Sequence, residues 1–415
     1  MKRTLILSTL LLTIASYSGN LYAEETNTDI TTASRHALAP IAPKGRWIVQ
    51  LEARHVSYNS MYDNAGNNKP LGSEYNAIAL DAAVFPLLAL FPTGFSLGTS
   101  SLSAEVAVQR GQITLGYGVT DDLTLGVISN FGQHRNSVNF SVSGGNIGWN
   151  PAYNPLAPLG PANSPFAPVG AGALQPMTAS DINTILSDPA FGYAYKPIQS
   201  TTVKGMGTLL VGGLWRFYSG GHGSLVAGLG VRKSFAAEND PDNLFDVPLD
   251  DGSTDIIVQI EYYRQIASIF DLRMMVKRTF QLADTLTSRV AGQGQVLALA
   301  SSKELLDRNM GDFWEYDIEA GISYESWRLS ATWHRYLKKA DHYHSARGQD
   351  VSSLMANTAI RADQWRAAIS WSGVDAWLNK ELSIPLIVKL EMQDTARGRN
   401  MGDLRDYYLV MTTFF

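Results

Sequence analysis

From Arg46 onward, hydrophobic and polar residues alternate with a period of two along stretches of about ten residues. In the first stretch, Trp47 and Leu51 share one face, whereas Glu52 lies on the other. Successive side chains of a β-strand point to opposite faces, so each stretch predicts a strand with one apolar and one charged face.

The pattern predicts twelve strands whose connections are sorted by length. The strands span residues 46–58, 103–118, 123–142, 204–218, 224–236, 254–266, 270–281, 312–324, 327–338, 362–373, 384–394 and 403–415. Mostly short links alternate with mostly long ones, and the longest cover residues 59–102 and 143–203. A soluble sandwich has no reason to sort its loops, whereas bacterial outer-membrane barrels have short periplasmic turns and long extracellular loops. We therefore predict an all-β, transmembrane, antiparallel up-and-down barrel over residues 46–415.

The segment 73–91 leaves the strand count open. Ser73 could cap a short helix that runs to Phe85 and ends before Pro86, and such an insert could fold into the lumen. Alternatively, the segment forms an extra hairpin. In that case the barrel has fourteen strands.

The N-terminus predicts export. Lys2 and Arg3 precede the apolar run 5–14, and residues 21–23 form a plausible cleavage site. The run is shorter than the roughly 20 residues that span a bilayer. We predict a cleaved signal peptide over residues 1–23, a periplasmic N-terminal segment over 24–45, and location in the bacterial outer membrane.

Composition narrows the function. The chain has 415 residues, of which 17% are charged, a formal charge of -5 and no cysteine. It therefore has no disulfide or thiolate site, and the acidic balance argues against nucleic-acid binding. No residue pattern demands a cofactor or a metal.

The C-terminus resembles the assembly signal of outer-membrane barrels. Tyr407, Leu409, Met411, Thr413 and Phe415 alternate, and the chain ends on an aromatic ring. We expect the barrel-assembly machinery to contact this strand, and membrane lipids and lipopolysaccharide to contact the outer surface. Aromatic residues on the outward phase would mark the membrane interfaces, namely Trp47, Tyr117, Trp215, Trp333, Trp365 and Trp371.

Charged and amide residues on the opposite phase are the candidate lumen lining. They are Gln50, Glu52, Arg54, Gln259, Glu261, Arg273, Lys277, Glu315, Asp317, Glu319, Arg328, His334, Arg366, Lys389 and Glu391. Opposite charges on adjacent strands pair across the ladder. These residues therefore either line a narrow polar conduit or form ion pairs that only close a small barrel.

The sequence from Tyr117 to Gly126, YGVTDDLTLG, resembles the tight hairpin of outer-membrane transporters associated with phenol meta-pathway degradation. The overall plan is also similar to FadL-like hydrophobic-compound channels. The close match covers about one hairpin. The resemblance implies passive uptake of small hydrophobic or aromatic molecules, without a catalytic residue.

Two motifs keep a membrane lipid hydrolase open as an alternative, and a structural barrel without transport is a third possibility. Ser96 lies in a Gly-x-Ser-x-Gly pattern, but its flanks lack the strand and helix of a nucleophile elbow. His222 and Ser224 have the spacing of outer-membrane phospholipase, but they fall in a predicted periplasmic turn. The composition of the acidic loop 238–255 favours a solvated surface loop over a Ca²⁺ site. We expect His342 and His344 to lie on the surface.

The loops 59–102 and 143–203 carry many large apolar residues, and the second holds nine prolines. Disordered loops rarely hold so many large apolar side chains. We therefore expect the two loops to pack together over the barrel mouth, as an apolar entrance or as a shield of the lumen.

Overall fold

Twelve antiparallel strands form a closed barrel in the computed structural model, which describes residues 41–221, 223–292 and 295–415. Each strand pairs with its neighbours in sequence, and β12 pairs with β1. The strands are β1 (Trp47–Tyr58), β2 (Thr99–Gly118), β3 (Leu123–Ser143), β4 (Thr201–Gly220), β5 (Gly223–Ser234), β6 (Thr254–Gln265), β7 (Phe270–Gln281), β8 (Phe313–Tyr324), β9 (Trp327–Lys338), β10 (Ile360–Ser372), β11 (Leu386–Arg399) and β12 (Arg405–Phe414). The twelve-strand prediction is confirmed, and the fourteen-strand alternative is wrong.

The predicted sorting of the loops is present. One end of the barrel carries the short links between β2 and β3, β4 and β5, β6 and β7, and β8 and β9, and we call it the short-turn end. The other end, the long-loop end, is the predicted extracellular side. The signal peptide and most of the N-terminal segment lie outside the described residues. Among the described residues, no helix is long and apolar enough to cross a membrane.

The long loops contain their own secondary structure. Three small sheets form from Ser60–Tyr62, Asn68–Pro70 and Met401–Gly402, from Asp284–Arg289, Lys303–Asn309 and His342–His344, and from Ile147–Trp149 and Phe166–Pro168. Of the described helices, α1 (Ala179–Ser187) and α2 (Ser352–Met355) lie in long loops, and α3 (Val374–Leu378) lies in the link between β10 and β11 at the short-turn end. Thr178 and Asp181 form a capping box at the start of α1.

Segment 73–91 forms neither predicted structure. It contains the 3-10 turns Ser73–Tyr75 and Pro86–Leu90. Between them, Ala77 N donates to Ser100 O at 2.9 Å and Leu80 N donates to Gly98 O at 2.8 Å. These bonds to the start of β2 take the backbone groups that a helix would need, so both the helix and the extra hairpin were wrong.

The barrel surface follows the predicted alternation. Trp47, Trp215 and Trp365 are each at least half exposed. Trp47 also packs against Tyr117, with ring centroids 4.9 Å apart. Trp333 and Trp371 are half-buried. Phe415 N donates to Trp47 O at 2.9 Å, so the last residue helps to join β12 to β1.

Candidate functional site: the lumen and its two ends

Arg273 is the centre of an ionic network on the inner faces of β6 to β8. Its Nε donates to Glu261 Oε2 at 2.9 Å, and its Nη1 lies 3.5 Å from Asp317 and 3.8 Å from Glu319. Tyr263 also donates its hydroxyl proton to Glu261. One guanidinium therefore contacts three carboxylates within the barrel.

The neighbouring strands extend this network. Lys277 pairs with Glu315 at 2.6 Å, and His334 Nδ1 lies 2.6 Å from Asp317. Arg328 reaches both Asp271, at 2.5 Å, and Glu319, at 2.6 Å. The side chains of the predicted acidic and basic residues of β6 to β9 thus lie together on one wall.

The other predicted residues lie on the inner phase of β1, β6, β10 and β11. Arg54 pairs with Asp406 at 2.8 Å, Gln259 donates to Glu261 at 2.8 Å, Arg366 donates to Gln393 at 2.6 Å, and Lys389 pairs with Glu391 at 2.9 Å. Gln50 and Glu52 are half-buried opposite Thr412 and Val410 of β12.

Replacing Arg328 with Met is expected to lower the free energy of unfolding by about 3–5 kcal/mol, because the buried carboxylate of Asp271 loses its cation and Glu319 keeps only Arg273 among the described cations. Arg405→Met is the control: its partner Asp394 is exposed, so the change should stay within about 1 kcal/mol. Urea unfolding in lipid vesicles, followed by heat-modifiable gel migration, measures both. Equal midpoints for the two variants would contradict the prediction.

The facing wall, on β2 to β5, is mostly uncharged. Gly116, Gly126, Gly212 and Gly230 are consecutive partners in the ladder, so no side chain extends from this row. Between Thr124 and Gly132 on β3, and between Thr208 and Leu214 on β4, no inner position is ionisable. The apolar inner side chains of this wall and of β6, half-buried or buried, are Ile128, Leu210, Leu214, Val226 and Ile257. The sequence analysis missed this wall.

The link between β5 and β6, residues 235–253, folds into the lumen, and we call it the inner loop. Leu249 is buried and its carbonyl accepts from Arg110 Nη2 at 2.6 Å. The Phe245 carbonyl accepts from Asn136 Nδ2. Val247 packs on the buried cluster of β1 and β2 formed by Val56, Val106 and Val108.

The inner loop therefore crosses from β5 and β6 to the other side of the barrel. It also remains attached near its base, where Arg232 lies 3.9 Å from Asp251 and Arg308 donates to the Asp251 carbonyl at 2.9 Å. The predicted solvated acidic loop was wrong, because this segment uses its backbone carbonyls and two apolar side chains to contact the barrel wall.

The chain before β1 enters the opposite end of the lumen. Ala42 is fully buried and its N–H donates to Thr124 Oγ1 of β3 at 2.8 Å. Ile41 packs with Val226, Tyr263 and Leu214, which belong to β5, β6 and β4. Residues 41–45, which we call the N-terminal strap, thus cross the short-turn end from β1.

The two longest loops pack together at the long-loop end, as expected. Their buried cluster, which we call the lid, contains Leu80, Val84, Phe85, Leu88, Leu97, Ile147, Phe166, Met177, Ile182, Ile185, Leu186, Tyr193 and Tyr195. Phe166 stacks on Phe191 with ring centroids 5.8 Å apart. Burial raises the pKa of Tyr193 to about 12, so its hydroxyl stays neutral at physiological pH.

Arg289 joins three loops beneath the lid. It donates to the carbonyls of Tyr193 and Ala194, and its guanidinium lies over the Tyr195 ring at 3.9 Å. It also pairs with Asp242 of the inner loop at 2.5 Å. Its side chain is only 4% exposed. The sequence analysis missed Arg289 because an arginine in an irregular loop follows no periodic pattern.

An apolar cavity of about 430 Å³ opens on the lid. Its lining includes Val84, Leu87, Phe191, Val296 and Leu299. A cavity of this volume and lining suits a small hydrophobic molecule.

The candidate catalytic and metal residues are not assembled into a site among the described residues. Ser96 lies in an irregular loop, where its N–H donates to Asn146 Oδ1 at 2.9 Å. The pair of His222 and Ser224 cannot be placed, since His222 lies outside the described residues. His342 and His344 are exposed, and no group of three or more His, Asp or Glu side chains in the described ranges has metal-binding geometry.

The fold matches solved outer-membrane channels. The COG4313 outer membrane channel from Pseudomonas putida F1 is 11% identical, with 90% of this chain and 96% of that chain covered and a TM-score of 0.51. The chain has the fold of an outer-membrane β-barrel channel. The TodX deltaS2S3 mutant monoaromatic hydrocarbon channel is 12% identical, with 90% and 89% covered and a TM-score of 0.37. No family model and no curated protein matches the chain.

Proposed function

We propose that the protein is an outer-membrane channel for the passive uptake of small hydrophobic or aromatic molecules. The observation that carries this proposal is a series of apolar surfaces through the barrel. The lid cavity, the tip of the inner loop, the uncharged wall and the N-terminal strap follow one another from the long-loop end to the short-turn end. The charged residues of β6 to β11 form the facing side of this conduit.

The proposed path takes apolar solutes because each step replaces apolar contacts with similar ones. A solute in the lid cavity contacts Leu87 and Phe191, and further down it meets Leu210 and Ile257. The charged wall is already paired internally, so a sugar or ion gains little by displacing those partners. The C-terminal strand β12, with Phe415 directly after it, remains the expected contact for the assembly machinery. Export by means of a cleaved signal peptide also remains an expectation.

Placing amides on the uncharged wall tests the proposal. In Ile128→Asn/Leu210→Asn, we expect uptake of a labelled apolar aromatic compound to fall by about tenfold, because the path then contains polar groups that the solute cannot satisfy. The assay uses intact cells, since apolar solutes cross simple phospholipid vesicles unaided. Ser370→Asn on the charged wall is the control and should keep wild-type uptake. Uptake that is the same with and without the protein would contradict the proposal.

A further inference from the structure

The outer surface of the barrel changes from apolar to polar near the long-loop end. On β1 to β3, the outward residues His55, Gln109 and Gln133 form a polar row of partners in the ladder. His55 lies eight residues after Trp47, and eight residues of tilted strand rise by about 20 Å. This row therefore lies at the outer edge of the apolar band, where lipid headgroups begin.

Three cations lie at or just above this edge on β3 to β5, and we call them the rim cations: Arg135, Lys204 and Lys233. All three are exposed. None of them pairs with a carboxylate of the described residues, and Lys233 donates only to the hydroxyl of Thr254, at 3.0 Å. This face thus holds three positive charges that the protein itself does not neutralise.

Three rim arginines on the other side of the barrel are neutralised. Arg278 pairs with Asp312 at 3.0 Å, Arg335 with Asp363 at 2.6 Å, and Arg405 with Asp394 at 3.3 Å. The charge on β3 to β5 is therefore a local feature and not a property of the whole rim.

A groove of about 920 Å³ runs along the lipid-facing wall beside the rim cations, and Lys204 is part of its lining. Ala53 and Gly111 form its floor, and Phe131 and Leu409 flank it. The Phe131 ring leans over Gly111, since a Cβ at that glycine would lie 2.5 Å from the ring. The floor and flanks of the groove are apolar, and polar side chains occupy its upper edge.

We propose that this face binds a phosphorylated glycolipid of the lipid A type in the outer leaflet. Its phosphates contact the rim cations, and one acyl chain occupies the groove over Ala53 and Gly111. Charge complementarity favours this occupant over a second copy of the chain, because a twofold contact between identical faces would bring the rim cations of both copies together.

Binding of two probes to the full-length protein in phosphatidylcholine nanodiscs tests the proposal. The probes are bisphosphorylated lipid A and the same lipid with both phosphates removed. In Arg135→Gln/Lys204→Gln/Lys233→Gln, we expect affinity for the bisphosphorylated probe to fall by about a hundredfold, since each cation near a charged lipid surface contributes to binding. Affinity for the dephosphorylated probe should not change. Arg335→Gln, a paired arginine at the same rim, should bind both probes as the wild type does.

The groove is tested separately. Ala53→Trp fills the floor of the groove and should weaken the binding of both probes by the same factor, because it removes the space for the acyl chain and leaves the rim cations in place. Heat-modifiable migration confirms that each variant is folded. Unchanged binding of the bisphosphorylated probe by the triple variant overturns the proposal, and so does equal affinity of the wild type for both probes. Cross-linking of two copies through this face, in competition with the lipid, overturns it as well.

Discussion

Releasing the inner loop and the N-terminal strap together is expected to raise ion conductance by at least about tenfold, whereas releasing either one alone leaves conductance close to the wild-type value. The two segments cross the lumen one after the other, and we expect each of them to obstruct it. The inner loop crosses at the long-loop end, and Ile41 and Ala42 cross at the short-turn end. When two barriers lie in series, the remaining one still limits the current.

The inner loop is released by replacing residues 245–250 with the same number of Gly and Ser residues. This removes Val247 and Leu249 from their apolar contacts. Those two side chains stabilise the inward position by about 4 kcal/mol, and Phe245, whose ring packs against Tyr75, adds about 1–2 kcal/mol. The backbone carbonyls that accept from Asn136 and Arg110 are kept. A change of about 5.5 kcal/mol shifts a two-state equilibrium from 99:1 to 1:99, so the loop should then be mostly displaced.

The N-terminal strap is released by Ile41→Asp, which places a carboxylate against Leu214, Val226 and Tyr263. Single-channel recording in planar bilayers compares the two single variants, the combined variant and a control. Leu305→Asp is the control, because Leu305 is 60% exposed on a loop strand and contacts neither the inner loop nor the N-terminal strap. Full conductance in either single variant would show that the other segment does not close the lumen.

The strands were predictable because their signal is local. A period of two records which face of a strand meets lipid, and this holds whatever the neighbouring strands are. For the same reason the inner charges fell on the correct phase, as with Arg273 and Asp317. The uncharged wall blurred the pattern, since Leu209, Leu210 and Val211 are apolar on both faces and the inner glycines carry no side chain.

The positions of the inner loop and the N-terminal strap were not predictable, because they depend on contacts that leave no pattern in the sequence. Arg110 binds the carbonyl of Leu249, and every residue has a carbonyl. The acidic residues around Asp250 indicated a solvated loop, whereas the fold turns the apolar residues between them inward. The packing of the lid was predictable from the number of large apolar residues in its loops, but Arg289, which connects those loops, was not.

Replacing Arg289 with Met is expected to raise the rate at which thermolysin cleaves the lid by about a hundredfold. Removing a buried arginine that serves several acceptors costs about 3 kcal/mol, and this free energy corresponds to roughly a hundredfold more of the open lid. The acceptors are the carbonyls of Tyr193 and Ala194 and the carboxylate of Asp242. Arg289→Lys keeps the charge opposite Asp242 and loses the planar fork, so its cleavage rate should lie between those of Arg289→Met and the wild type.

Acid should open the same lid. Burial tends to raise the pKa of Asp242, but hydrogen bonds from Lys303 and Arg289 outweigh it, and the pKa of this carboxyl lies below its ordinary value of 3.8. A depressed carboxyl pKa stabilises the folded lid above the unfolded pKa, and this contribution is lost as the pH falls through the folded pKa. Thermolysin cleavage after brief exposure to stepped pH should therefore rise below about pH 4 in the wild type. Asp242→Asn should show fast cleavage already at neutral pH and less change with acid. A wild-type lid that stays protected below that pH, or an Asp242→Asn lid as protected as the wild type, would show that Asp242 does not hold it closed.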